Sequence, residues 1–470
     1  MSLLAQLQAG LAQPPSRPAS VPAAIPDSGL DIDIVATEQL PAWFDVSGLA
    51  SASMACAAEA LAKYATLNGA EISRLTVDQR LASAWFGWSL RPQGWELPGA
   101  WDDLAGDYAA RDGWIKLHTN APHHRAAALA VLGEITERAK LAKAVAGWSA
   151  NELEAAIVNA GGCAAALRSR QQWLAHEQGS AVQQQPLVHW QRVGTCQPTP
   201  AKASAQGLPL TGLKVLDLTR VLAGPVAGRF LAGYGADVLR IDPPSWEEPG
   251  VVPEVTLGKR CAGLDLHQPE DRKRFAELLA DADLLLHGYR ADALVKLGYD
   301  RDALSAINAN LIDVSLNAYG WAGSWQNRRG FDSLVQMSSG IAAHGRAMSK
   351  VEKPVPLPVQ ALDHATGYLL AGAALQALCA KQTGTVYRAK TSLARVAALL
   401  QSTERETQGP GIAAETATDI APHLEQTAWG PAQRVRWPIS IATTHGAIDA
   451  AWSLPASELR SVPAAWAVTN

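Results

Sequence analysis

Asp363-His364-Ala365-Thr366-Gly367 stands directly before an apolar stretch, Tyr368 to Ala380, that reads as a helix. A carboxylate at a helix start has two uses. It can cap the free amides there, a common role of Asp worth about 1 kcal/mol. Held ionised at neutral pH by the helix dipole, it can instead act as a nucleophile beside amides that steady a developing oxyanion. Position alone leaves both open.

A second segment with chemical content runs Val215-Leu216-Asp217-Leu218-Thr219-Arg220-Val221-Leu222-Ala223-Gly224-Pro225, then Gly235-Ala236-Asp237-Val238-Leu239-Arg240-Ile241-Asp242. A strand ends at a Gly-Pro turn, a helix begins, and another strand follows. Small residues let a ligand approach the backbone and a helix N-terminus attracts phosphate, so one reading is a nucleotide-binding βαβ unit and the other an ordinary βαβ turn. No GxGxxG fingerprint follows Leu218, which argues against a nicotinamide-dependent dehydrogenase. Lys259, Arg260 and Arg290 read as loop residues after strands, placed either to meet phosphates as charge-assisted donors or to carry solvated charge. His118, His123 and His124 are close in sequence but lack an accompanying ligand pattern, so no metal site is expected. His364 follows Asp363 directly, and adjacent helical positions face apart.

These residues need elements to hold them. Leu213 to Leu218, Val238 to Ile241, Asp283 to His287 and Leu311 to Leu316 are short aliphatic runs bounded by Gly, Pro or Asp, with helical stretches between. That alternation predicts a parallel sheet covered on both faces, with its ligand at the carboxyl ends of the strands. The expected class is α/β: an open, Rossmann-like doubly wound parallel sheet plus a smaller α+β domain. The first 35 residues form a Pro/Ala-rich arm (Pro14, Pro15, Pro18, Pro22, Pro26) with no core of its own. Residues 36–105 read as a helix-strand-helix unit. Residues 106–190 read as the small domain, with a strand at Trp114 to His118 and a helix that Ser149 and Glu152 open as a capping box and Gly161-Gly162 close. Residues 191–209, with Pro198, Pro200, Gly207 and Pro209, read as a linker, 210–400 as the sheet domain, and 401–470 as an extension packing on it. A weak repeat relates Ala57 to Gly69 and Leu75 to Phe86 with Ala373 to Gly384 and Thr391 to Leu400, setting Gly48 opposite Asp363.

With 48% hydrophobic content, the 470 residues can bury sizeable cores. The formal charge of −4 and the scattered basic residues argue against nucleic acid. Five cysteines far apart show no metal or disulfide spacing and read as reduced thiols of a cytoplasmic protein, and no apolar run has the length to span a membrane.

Several of these segments, in order, resemble the motifs of the family III CoA-transferases. The Val221-Leu222-Ala223-Gly224-Pro225 loop is similar to the loop that receives the adenosine end of CoA. Gly258-Lys259-Arg260 before Leu264-Asp265-Leu266, Ala282 to Arg290, Asn317-Ala318-Tyr319-Gly320, and Gly330-Phe331-Asp332 with Gln336 and Gly340 continue the series. The D..TG context of the family's nucleophile falls on Asp363. The resemblance implies an acyl-CoA donor, a small carboxylic acid acceptor, an aspartyl mixed anhydride followed by an aspartyl-CoA thioester, and no permanently bound cofactor or metal. By the same resemblance Val221, Leu222, Ala223, Gly224, Pro225, Arg240, Lys259, Arg260, Arg290 and Tyr319 contact CoA, and the assembly is a homodimer, possibly interlocked. Asp112 to Ile115, Asn151 to Glu154 and Gln172 to His176 resemble the family's small domain, which here precedes the nucleotide-binding part, so the chain reads as permuted or partly duplicated. An α-methylacyl-CoA racemase shares the fold but carries His where this chain has Phe331. A non-catalytic CoA-binding protein is the remaining alternative.

Overall fold

The computed structural model describes residues 1–12, 30–198, 207–289 and 292–467. The arm prolines, Pro200 and Arg290 lie outside them.

The main sheet is built from β1 (His189–Thr195), β2 (Lys214–Leu218), β3 (Asp237–Asp242), β4 (Lys259–Gly263), β5 (Leu284–His287), β6 (Ile312–Asn317) and β7 (Thr385–Ser392). Their order is β4-β3-β2-β5-β6-β7-β1, and every pairing is parallel except β7 with β1. Apart from β1, this is the doubly wound dinucleotide-binding order, whose strand order reverses between β2 and β5. The aliphatic runs end here because both faces are covered: all four residues of β5 and all six of β6 are buried. Strand β1 corrects the expected linker. Residues 189–195 add an antiparallel edge strand, with His189 opposite Lys390 and Thr195 opposite Thr385.

Two 22-residue helices, α1 (Val46–Leu67) and α5 (Ala361–Gln382), pack on each other and are buried almost throughout. Their Ala-rich faces permit close approach, and helices apolar on every side belong inside. Each is followed by a strand and a short helix, Ile72–Asp78 with Gln79–Phe86 and β7 with Leu393–Leu400. Gly48 and Asp363 are both the third residue of their helix. Beside Gly48, Asp45 caps α1 through the Gly48 amide (2.8 Å) and pairs with Arg405.

The expected small α+β unit has its own sheet, Gly106–Ala110, Gly113–Leu117 and Ala164–Ala166, all antiparallel. Helices α2 (Pro122–Leu132), Arg138–Ala146 and Ala150–Asn159 close a core around Tyr108, Ile115, Leu141, Leu153 and Ile157. The capping box at Ser149 does not form. Asp112, in the preceding hairpin turn, takes the Ala150 amide at 2.8 Å and the Ser149 hydroxyl at 2.7 Å, so the cap comes from elsewhere in the chain.

The C-terminal segment does more than pack on the main sheet. Ile439–Thr443 pairs antiparallel with Ile72–Asp78 in a four-stranded sheet, and Gly430–Arg434 pairs with Leu90–Pro92. A buried network anchors it: Glu254 bonds Arg229, Arg434 and the Ser89 hydroxyl. At the other end, Leu3–Leu11, inside the expected coreless arm, buries Leu3, Leu7 and Leu11 in the main core. Among the described residues no helix is long and apolar enough to cross a membrane.

Candidate active site

Asp363 is the third residue of α5 and its side chain is not the helix cap. The cap is supplied by Asp332, the first residue of α4 (Asp332–Ser339): its Oδ2 accepts the Leu362 amide at 2.8 Å and the Asp363 amide at 3.0 Å. Its Oδ1 accepts from Gln336 Nε2, and Gln336 Oε1 in turn holds the Leu357 amide at 2.7 Å. With those amides occupied by a carboxylate 31 residues away, no hydrogen bond among the described residues reaches the Asp363 carboxyl. Asp363 is 5% exposed, and it lines a cavity.

The expectation that the helix dipole holds Asp363 ionised is corrected. Burial, then the negative charge of Asp332, raises its carboxyl well above the ordinary range. Asp332 itself is pushed up to about 6 by burial, opposed by Gln336 and the two amides it holds. Two buried carboxyls this close disfavour a second charge, so the pair retains a proton into a range where isolated carboxylates have lost theirs.

The cavity has a volume of about 380 Å3 and opens at the carboxyl ends of β2, β5 and β6. Its floor is the loop from Leu218 to Gly224, the start of α3 (Ala223–Gly233). Leu222 offers no side-chain cap to that helix. Gly224 is required because a methyl group there would overlap Thr219, and Gly367 because one there would overlap the Ala223 carbonyl and come within 2.8 Å of Val226 Cβ. That second contact lets α5 press on the loop one turn beyond Asp363. Val221 is held at φ 62°.

Residues 210–433 match the family model described as CoA-transferase family III. The match covers 224 of the 470 residues and makes this segment similar to the family III CoA-transferases. An acyl-CoA transferase of Gibberella moniliformis is 30% identical over 238 residues, 48% of this chain and 41% of that protein. A probable fatty acyl-CoA transferase of Mycobacterium tuberculosis is 34% identical over 193 residues, 38% of this chain and 48% of that protein. The matches thus span less than half the length of either relative. The crystal structure of Rv3272 from M. tuberculosis aligns at 30% identity and a TM-score of 0.37, over 42% of this chain and 58% of that one.

Within the matched segment, Val221, Leu222, Ala223 and Gly224 line the same cavity as Asp363. Of the other residues expected to contact CoA, Pro225, Arg240, Lys259, Arg260 and Tyr319 do not line it. Lys259 lies in β4 rather than in a loop, is 1% exposed, and donates to Asp217 Oδ2 (2.8 Å) and to the Pro225 carbonyl (2.9 Å). Pro225 thus serves the helix start through its carbonyl. Arg240, inside β3, is fully buried and bonds Asp242 at 2.8 and 3.0 Å and also Glu248. Arg260 is bidentate to Asp237 and bonds the Ala465 carbonyl. Tyr319 is buried, its hydroxyl 3.2 Å from Ser338 Oγ. Sequence order put these cations near strand ends, but strand alternation turned them toward internal carboxylates.

Sequence reasoning passed over other residues. Arg220 faces the cavity with its guanidinium between the rings of Trp246 (4.7 Å) and Tyr289 (5.1 Å), donating to the Tyr289 hydroxyl at 3.0 Å, and it has no carboxylate partner among the described residues. Its place in the loop motif was the available signal. Asp332 was visible only as part of Gly330-Phe331-Asp332. His123 and His124, at the start of α2 in the small domain, also line the cavity, which no local pattern announces. Burial drives His124 down to about 3, so its ring is neutral. His118 lies flat on Phe331 at 3.9 Å, and no group of three or more metal-binding side chains occurs among the described residues.

Proposed function

We propose that the chain moves CoA from an acyl-CoA to a carboxylic acid, with Asp363 as the group acylated in the process. The observation that carries this reading is a buried carboxyl that accepts no hydrogen bond among the described residues, set in one cavity with the start of α3, which has no side-chain cap, and with the Arg220 guanidinium, which has no carboxylate partner among them. Phosphate groups suit a helix start and a guanidinium. A thioester carbonyl is electrophilic enough for a carboxylate.

In the sequence of bonds, an Asp363 oxygen attacks the thioester carbon, the carbon–sulfur bond breaks, and CoA leaves as thiolate. The thiolate then attacks the Asp363 carbonyl carbon of the mixed anhydride, expelling the first acid and leaving aspartyl-CoA. An acceptor carboxylate attacks that thioester, and the thiolate returns to the acceptor's acyl carbon, which frees Asp363. Attack needs the ionised carboxyl, so the raised proton affinity of Asp363 holds the resting enzyme back at low pH and gives a more basic nucleophile once the proton is lost. Incubation with acyl-CoA and hydroxylamine followed by peptide mass analysis should give a hydroxamate at Asp363. An intact Asp363, or unchanged turnover in Asp363→Asn, overturns the proposal.

A second reading draws on His123 and His124, which face the cavity that Asp363 lines. Neutral imidazole opposite a carboxyl suits proton exchange at the α-carbon of an acyl-CoA, the racemase chemistry. Deuterium uptake at that carbon from heavy water, without CoA exchange between acids, would favour it.

A further inference from the structure

A second cavity, of about 220 Å3, adjoins the first, and Val221, Trp246 and Phe331 line both. Its outer walls include Ala100, Trp101 and His118. The His118 ring is stacked on Phe331 with 5° between planes, and burial drives it down to about 3, so it adds a flat, uncharged surface. Three further aromatic side chains, Trp101, Trp246 and Phe331, line it.

The shared wall is built rigidly. Val221 holds a left-handed backbone that a β-branched residue rarely adopts. Its amide donates to Glu248 Oε2 at 2.8 Å, Trp246 Nε1 donates to the same oxygen at 2.7 Å, and Arg240 holds the other oxygen. This gives the buried Arg240 a purpose: it fixes the partition. Phe331 directly precedes Asp332, which holds the start of α5, so the partition and Asp363 share one support.

Charge limits what can enter. Asp102, Glu247 and Glu248 line this chamber, and among the described residues no lysine or arginine does. Asp102 is already engaged by Arg125 (2.7 Å) and the Thr119 hydroxyl (2.6 Å). Glu247 is held by Arg460 and Glu248 by Arg240, so a second carboxylate would find no free counter-ion among the described residues. An aromatic ring, in contrast, meets aromatic faces, and an apolar cavity of about 150 Å3 is enough to take up benzene.

We propose that this chamber holds the acyl group of the donor and selects aryl or arylalkyl acyl-CoA esters over dicarboxylic ones. The inference rests on the reading of Asp363 as the acylated residue, from which the acyl group passes behind Phe331.

The test follows CoA thiol release in the first turnover of the full chain with phenylacetyl-CoA, acetyl-CoA and succinyl-CoA, together with the mass of the Asp363 peptide. The second-order rate constant for phenylacetyl-CoA should exceed that for acetyl-CoA by about tenfold and that for succinyl-CoA by about a hundredfold. Ala100→Leu, which fills the chamber, should erase about tenfold of the phenylacetyl preference, and Trp101→Ala, at a half-exposed wall, should reduce it as well. Succinyl-CoA reacting as fast as phenylacetyl-CoA overturns the proposal. So does an equal loss for all three esters in Ala100→Leu, which would put a part common to every CoA ester, such as the adenine ring, in the chamber. Labelling of Asp363 by acetyl-CoA or succinyl-CoA but not by phenylacetyl-CoA defeats this inference alone, whereas no labelling by any ester defeats the CoA-transfer reading with it.

Discussion

Replacing Asp332 by Asn tests whether the charge of the trans cap governs Asp363. Asn keeps an oxygen for the Leu362 and Asp363 amides, now received at 2.8 and 3.0 Å, and removes the negative charge that, after burial, raises Asp363. Two unit charges about 5 Å apart repel by roughly 3 kcal/mol at an effective dielectric constant of about 20. At about 1.4 kcal/mol per factor of ten, and with the open cavity screening part of it, the ionised fraction of Asp363 on the acid limb should rise about 10- to 100-fold. The sign is fixed by the raised proton affinity: ionisation, and with it the rate, falls as pH drops, and removing the neighbouring charge moves that fall to lower pH. Above the limb both proteins are ionised, and the variant, with the less basic carboxylate, should be the slower. The measurement is the rate of CoA thiol release on mixing with acyl-CoA between about pH 5 and 9. An acid limb that stays in place, or moves to higher pH, refutes the coupling. The variant also sets an amide donor against Gln336 Nε2, where Asp332 now accepts, and should lose about 1–3 kcal/mol in denaturation.

Other perturbations address the frame of the site. Glu254→Ala leaves Arg229 and Arg434 buried without their shared carboxylate and should cost about 3–5 kcal/mol, read from the denaturation midpoint. Lys259→Met leaves Asp217 buried and unpaired, so stability should fall by about 3–5 kcal/mol while the KM for acyl-CoA of the folded fraction stays the same; a selective rise in KM would return Lys259 to the coenzyme site. Gly367→Ala drives a methyl group into the Ala223 carbonyl and Val226, and should cost about 1–3 kcal/mol and weaken CoA binding measured by calorimetry.

How far the sequence reaches is clearest from its helix caps. The pattern rules place an N-cap next to its helix, and they identify Asp363 and Ser149 as local candidates. The structure supplies both caps from a distance, through Asp332 at the start of α5 and Asp112 ahead of Ala150–Asn159. For Asp363 the difference leaves a carboxyl, relieved of capping, facing the cavity.

The alternation of aliphatic runs with helices was decided by the sequence alone: a strand buried on both faces must be apolar along its length, and β2, β3, β5 and β6 could be read with ends shifted by a residue or so. The small residues of the Val221 to Gly224 loop were equally local, since close backbone approach is a property of the residue itself. Only the tertiary structure decided which charges pair. Lys259 looks like a surface cation until β2 and β4 enter one sheet and set Asp217, 42 residues away, against it. It also decided that residues 189–195 close the main sheet and that Ile439–Thr443 returns to pair with Ile72–Asp78. An apolar pattern records that a segment will be buried, whereas a salt bridge, an edge strand or a remote cap depends on which distant segment arrives beside it, and nothing within a short window carries that information.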